Sequence, residues 1–257
     1  MEQEQAKQNP IQVAGRLFGA LEYLAEAGAS PLADVAEHLE LNKSTTHRVL
    51  ASLQFMGYVR QDAATGRYED TFRLVDLAEK VTAKVDVIRT VRPVLEQLMM
   101  KTGETIHFVR LEDADIVYID KVESDRNNVR MVSRIGSRIP FYRSAVGKAL
   151  AAEMTADEVR RLWDQCTIER KTPYTITNFE DFQESLEEIR RKGYALDNEE
   201  NETGVRCIGA SLSISDRPEY AFSISVPITR MDNDRIRDLS GDVLRARETI
   251  NSLFRSE

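Results

Sequence analysis

The feature that most constrains this chain is a local absence of acid. Across 257 residues the formal net charge is −8, with 43 Asp and Glu against 35 Lys and Arg. Residues 41–61, LNKSTTHRVLASLQFMGYVRQ, hold no Asp or Glu, yet carry Lys43, Arg48 and Arg60. The stretch opens as a helix does: Asn42 or Ser44 can cap, and Thr45 and Thr46 follow. Val49, Leu50, Leu53 and Met56 recur at helical spacing and predict one buried face. Thr45, Arg48 and Ser52 share the opposite face, and Gly57 stops the helix. An apolar back with a front of Lys, Ser, Thr and Arg suits the major groove of DNA. Short hydroxyls and a helix N-terminus bind phosphate oxygens, and Arg and Lys reach phosphates or base edges. Taken alone, the same pattern equally fits a solvated amphipathic helix, so the flanking sequence decides.

Upstream, residues 31–39 predict a short helix with Leu32, Val35, Ala36 and Leu39 inward, and Glu40-Leu41-Asn42 is a tight connection into the next helix. That is the helix-turn-helix arrangement. Downstream, residues 58–61 alternate like a strand, 62–66 form a turn and 67–69 return as a second strand. Together they predict a winged helix-turn-helix, with Arg60 and Arg67 flanking the wing near the DNA backbone. The candidate DNA contacts are therefore Lys43, Ser44, Thr45, Thr46, Arg48, Arg60 and Arg67. Residues 11–27 carry Val13, Leu17, Phe18, Leu21 and Leu24 on one helical face, a first helix packing behind the other two.

Beyond the wing, Leu74, Leu77, Ala78, Val81, Val85 and Ile88 fit a linker helix, which Pro93 should end while opening a new helix to Lys101. From residue 104 the period changes to two. Residues 105–111, 116–122 and 128–135 predict strands. Residues 144–153, 156–165 and 179–192 predict helices. Residues 203–215 and 220–227 predict two more strands, and 232–254 a closing helix. The expected fold class is α+β. The expected division is a winged helix-turn-helix over 1–72, a linker helix over 73–92 and an antiparallel sheet with flanking helices over 93–257. Such a sheet can hold a small ligand.

Composition narrows the function. A chain this acidic cannot coat nucleic acid indiscriminately and can grip DNA only through a locally basic surface. No apolar run approaches membrane-spanning length and residues 1–9 are no signal peptide, so a cytoplasmic protein without a membrane partner is expected. Cys166 and Cys207, in no paired motif, point to a reducing compartment. There is no metal-ligand cluster, catalytic triad or Gly-rich phosphate loop, so no metal, no cofactor and no enzymatic activity are expected. His38, His47 and His107 are scattered, and His107 on a strand reads as core or pocket lining.

In the second half, residues 144–148 start a helix whose free amides favour an anion, although small residues at a helix start also simply pack. Ser223 and Ser225, two apart on a strand, share a face. Either they meet a polar ligand, or they sit on a solvent edge with Phe222, Ile224 and Val226 as the buried side. The acid run at 197–202 (DNEENE) reads mostly as a solvated loop, with Asp197 able to hydrogen-bond ligand hydroxyls and Arg206 placed to pair with one of the acids. Cys207 fits a small buried hydrophobe as well as a ligand contact.

Three stretches, in order and at the right spacing, resemble the IclR family of bacterial transcriptional regulators: STTHRVLASLQFMGYV, RIGSRIPFYRSAVGKALAA, and GYALDNEENETGVRCIGA followed by FSISVPITR. The resemblance covers roughly residues 11–254. Residues 104–107, 116–119 and 128–136 look most like the KdgR-type members, regulators of ketodeoxygluconate and uronate catabolism. The resemblance implies a GAF-like C-terminal domain binding a small carboxylic, keto or sugar acid. It also implies dimers or dimers of dimers on palindromic double-stranded operators. By motif position it places Asn128, Met131, Ala145, Val146, Asp197, Cys207, Ser223 and Ser225 at the effector. The expected function is an operator-binding regulator, a repressor, modulated by that acid. The rival from another class is a GAF-like enzyme or redox sensor with Cys207 or Cys166 as reactive thiol.

Overall fold

The computed structural model describes residues 11–82, 86–124 and 133–255. The chain divides into two compact units, Met1–Val85 and Asp86–Glu257.

In the first unit, α1 (Gln12–Ala27), α2 (Leu32–His38) and α3 (Lys43–Phe55) are followed by the short strands β1 (Val59–Gln61) and β2 (Tyr68–Asp70). The two strands pair antiparallel, Arg60 opposite Glu69, and Ser30 adds a bridge to Tyr68. A core of Ala20, Leu24, Val35, Val49, Leu50, Leu53, Val59 and Tyr68 joins helices and wing. The wing turn is built by Asp62, whose Oδ1 accepts from the Ala64 and Thr65 amides and the Thr65 hydroxyl. Those donors hold its carboxyl below the usual range, the Thr65 amide contributing most. The unit closes with α4 (Arg73–Thr82).

The second unit opens with α5 (Asp86–Thr102). Pro93 lies inside this helix, so the break expected there is absent. Its ring forgoes one intrahelical hydrogen bond, while the burial of Val91, Leu95 and Leu98 on the sheet carries the helix through. Of the predicted linker, residues 73–82 lie in α4 and residues 86–92 in α5, with 83–85 outside the described residues. Then come β3 (Thr105–Glu112), β4 (Asp115–Val122), β5 (Arg138–Pro140), α6 (Ala145–Ala152), α7 (Ala156–Gln165), α8 (Phe179–Lys192), β6 (Ala195–Asn198), β7 (Val205–Leu212), β8 (Tyr220–Pro227) and α9 (Asn233–Phe254). The six strands form one antiparallel sheet in the order β5-β4-β3-β8-β7-β6. The strand expected at 128–135 falls largely outside the described residues, and Ser133 to Ile135 are not strand.

Alternation sorts the sheet's two faces. Ile106, Phe108, Ile208, Ala210, Phe222, Ile224 and Val226 pack with α5 and α9. Val109, Ala195, Cys207 and Ala221 lie on the other face, with α6, α7 and α8. Because helices cover both faces, Ser223 and Ser225 cannot sit on a solvent edge. Each is 4% exposed, on the central strand β8.

Candidate effector pocket and DNA-reading helix

The polar residues predicted one by one fall on one rung of the sheet. Across β6, β7, β8 and β3, the register places Asp197, Cys207, Ser225 and Thr105 side by side. The next rung holds Ala195, Gly209, Ser223 and His107. All of these point toward α6 and α8, since their neighbours in each strand fill the opposite core. Gly209 is required by close packing, because a Cβ there would come 2.8 Å from the Phe222 carbonyl oxygen and 3.1 Å from the Ser223 Cβ, with Val146 Cγ1 at 3.4 Å.

Hydrogen bonds tie the rung together. Ser225 Oγ lies 3.2 Å from Cys207 Sγ and 3.0 Å from His107 Nδ1. The other ring nitrogen, Nε2, is 2.6 Å from Ser133 Oγ, and Tyr118 meets the His107 ring edge-on at 5.0 Å between centroids. Burial, with the Lys121 charge adding to it, drives His107 down to about 3, so the imidazole is neutral near pH 7. A neutral ring offers one donor and one acceptor, so one serine hydroxyl donates to it and the other accepts from it. His107 is buried beside the rung, within the sequence reading of core or pocket lining; its bonding partners, 118 and 26 residues away, lie beyond any local pattern.

Facing the rung is the start of α6. Ser144 caps it: its Oγ accepts from Gly147 N at 3.0 Å, and its carbonyl accepts from Lys148 N. No acceptor among the described residues takes the Ala145 and Val146 amides. Gly147 is pressed against the preceding turn, and a Cβ there would come 2.0 Å from the Phe141 carbonyl oxygen. Free amides at the positive end of a helix suit a carboxylate.

The acid run is not the solvated loop expected. Asp197, Glu199 and Glu200 are 4%, 7% and 5% exposed. Lys148 Nζ meets Glu200 Oε1 at 2.5 Å, both side chains buried. Asp197 Oδ1 accepts from the Glu200 and Asn201 amides. Thr172 and Thr175 donate to the Glu199 and Glu200 carbonyls, each at 2.7 Å. Arg143 donates to Asn201 Oδ1 at 3.0 Å. Arg206 does not take an acid of this run; its Nη1 donates to the Met231 carbonyl. Burial lifts the Asp197 carboxyl to about 7, against the pull of Lys148 and with a push from Glu200. Asn128 and Met131 lie outside the described residues.

The thiols have the wrong surroundings for a reactive centre. Burial raises Cys207 far above its ordinary value, and the Asp197 charge adds to the rise. Burial also pushes Cys166 up to about 11. A reactive cysteine needs the reverse. No cluster of metal-binding side chains occurs among the described residues, and none of the helices searched there is long and apolar enough to cross a membrane.

In the first unit, Asn42 caps α3, accepting from Thr45 N at 2.9 Å and from Ser44 Oγ at 2.7 Å. Lys43, Ser44, His47, Arg48, Ser52 and Phe55 are exposed, and Thr45 is half-buried. Thr46 departs from expectation: it is fully buried and donates to the Asn42 carbonyl. It shares the inner face with Val49, Leu50 and Leu53. Met56 departs the other way. It caps the helix and is 38% exposed. On the wing, Arg60 pairs with Glu69 at 2.8 Å, and Arg67 Nη1 donates to the Ala29 carbonyl. Both arginines remain exposed.

Residues 13–63 match the family profile described as the IclR helix-turn-helix domain, and residues 79–252 match that of the bacterial transcriptional regulator IclR C-terminal domain. The chain is 35% identical over 226 residues to the HTH-type transcriptional regulator KdgR of Escherichia coli, covering 87% of this chain and 85% of that one. It is 39% identical over 204 residues to the DNA-binding transcriptional repressor YiaJ of the same organism, covering 78% and 72%. Among solved structures it is similar to the IclR of Thermotoga maritima, with a TM-score of 0.84 at 28% identity, covering 95% of this chain and 98% of that one.

Proposed function

The chain belongs to the IclR family of bacterial transcriptional regulators, and from that premise we propose that it is a cytoplasmic repressor released or retained on its operator by a small organic acid held between the α6 start and the Asp197–Thr105 rung. The family members it matches are DNA-binding regulators with a C-terminal effector domain, not enzymes. Support for the acid comes from one juxtaposition: two unclaimed amides at a helix start opposite a rung of hydroxyl, thiol and carboxyl groups sealed by helices on both sides. The amides take the carboxylate. Ser223, Ser225 and Asp197 take hydroxyl or keto oxygens, which favours a keto or sugar acid. Lys43, Ser44, Thr45 and Arg48 read the duplex, with Arg60 and Arg67 on the wing. Phe18, Phe72, Val75 and Leu77 are exposed in the DNA-binding unit, apolar surface of the kind a second copy would bury in a homodimer.

The Ser223→Ala, Ser225→Ala double variant tests the site. Operator affinity should stay at the wild-type level, while the acid from a keto, hydroxy and sugar acid panel that raises the wild-type melting temperature should lose most of its effect. A normal calorimetric titration of that acid by the double variant removes both serines from the pocket.

Asp197 gives the pocket a pH dependence. Its carboxyl is raised above its unfolded value, so the associated stability is full below the unfolded pKa and is lost as pH rises through about 7. The same step governs the ligand. Below it the neutral carboxyl tolerates a carboxylate nearby; above it two anions share the pocket. Effector affinity should therefore weaken from about pH 6 to about pH 8, and Asp197→Asn should flatten the profile. An identical slope in that variant assigns the titration to another group.

A further inference from the structure

We propose that Phe55 is a base-reading residue, supplying an apolar contact to a thymine methyl group in the major groove. The inference rests on the DNA-reading role given to α3 and extends it from phosphate and polar contacts to a specific base.

Phe55 is 94% exposed, more than any other large hydrophobic residue exposed among the described residues. It does not belong to the core of its unit, which is built from Val49, Leu50 and Leu53 on the far side of the helix. At about 100° per residue, Ser44, Arg48, Ala51 and Phe55 fall within about 60° of arc, centred opposite that buried face. Phe55 thus continues the stripe that carries Arg48. Charge names the occupant of that stripe. No acid occurs between residues 41 and 61, and Lys43 and Arg48 are exposed on the helix, so the face that presents the phenyl ring suits a polyanion. Within the major groove the one apolar group at a base edge is the thymine C5-methyl, and an aromatic side chain is a suitable partner for it. Over about 18 Å of helix, a groove-parallel placement brings both the capped start and the Phe55 end over bases.

The test uses the full chain. Wild type and Phe55→Ala each select sites from a randomised duplex pool, and the thymines of the wild-type site are then replaced one at a time by uracil, which removes only the methyl group. Wild type should specify a thymine that Phe55→Ala leaves unspecified. Uracil there should weaken wild type about four-fold, as the loss of one buried methyl predicts, and leave Phe55→Ala unchanged. Phe55→Leu should keep part of the discrimination. Melting temperatures should be equal, since the ring is outside the core. An identical site and uracil response in Phe55→Ala overturns the proposal while leaving α3 as the reading helix. A wild type that selects no sequence overturns both.

Discussion

Replacing Lys148 by methionine should destabilise the effector domain by about 3–5 kcal/mol, the usual cost of stranding one member of a buried ion pair. Lys148 and Glu200 are both nearly inaccessible, and the second Glu200 oxygen, Oε2, has no partner among the described residues. Without the ammonium, Glu200 must either stay charged in an apolar setting or bind a proton. Asp197 loses the one nearby cation that favours its charged form. Lys148 stands one turn into α6 and Glu200 in the loop after β6, so the pair fastens α6 to the loop that follows Asp197 and Asn198. Replacing both partners together, Lys148→Met with Glu200→Leu, removes the stranded charge and should recover most of the loss. Thermal melting of the wild type and the two variants decides it. A Lys148→Met protein as stable as wild type would mean that the pair is solvated in solution.

The second large effect belongs to the reading helix. Arg48→Ala and Thr45→Ala should each weaken operator binding by about 1–3 kcal/mol, or roughly 5- to 150-fold, with the arginine at the upper end. Arg48 is exposed on the stripe proposed to face the duplex, whereas Thr45 is half-buried and its amide already serves the Asn42 cap. Neither side chain belongs to the effector unit, so affinity for the organic acid should be untouched. Thr46→Val tests the opposite side of the helix. Its hydroxyl is buried against the Asn42 carbonyl, so that substitution should lower stability and leave base preference alone. Equal operator affinity in wild type, Arg48→Ala and Thr45→Ala would remove this face from the DNA.

Much of this was legible in the sequence because the signals are local. The α7 and α8 boundaries follow from caps at Thr155 and Asn178 and from apolar residues at helical spacing. The β8 strand follows from strict alternation between the Asp216-Arg217-Pro218 turn and Pro227. What failed depends on distant partners. The run DNEENE reads as solvent-exposed until Lys148, Thr172 and Thr175 arrive beside it, and its first two residues end β6, a strand too short to stand out. Thr46 is a local exception: the hydroxyls beside it face out, but its own angle on the helix places it inward. Pro93 signals a helix break by itself, but three distant-packed side chains, Val91, Leu95 and Leu98, hold the helix in place. For the pocket, residue types were readable and the rung was not: that Asp197, Cys207, Ser225 and Thr105 stand abreast is a property of register across four strands.

The account turns on one coupling, between an organic acid in the second unit and a duplex held by the first. The direct measurement is a titration of the full-length protein against double-stranded DNA from upstream of its own coding sequence, at low ionic strength, with and without the acid that raises its melting temperature. The account predicts binding that weakens steeply with salt, shifts with the acid in wild type and no longer shifts when Ser223 and Ser225 are both alanine. A protein that ignores this duplex at low salt, or that binds it with the same affinity whether or not the acid is bound, would contradict it.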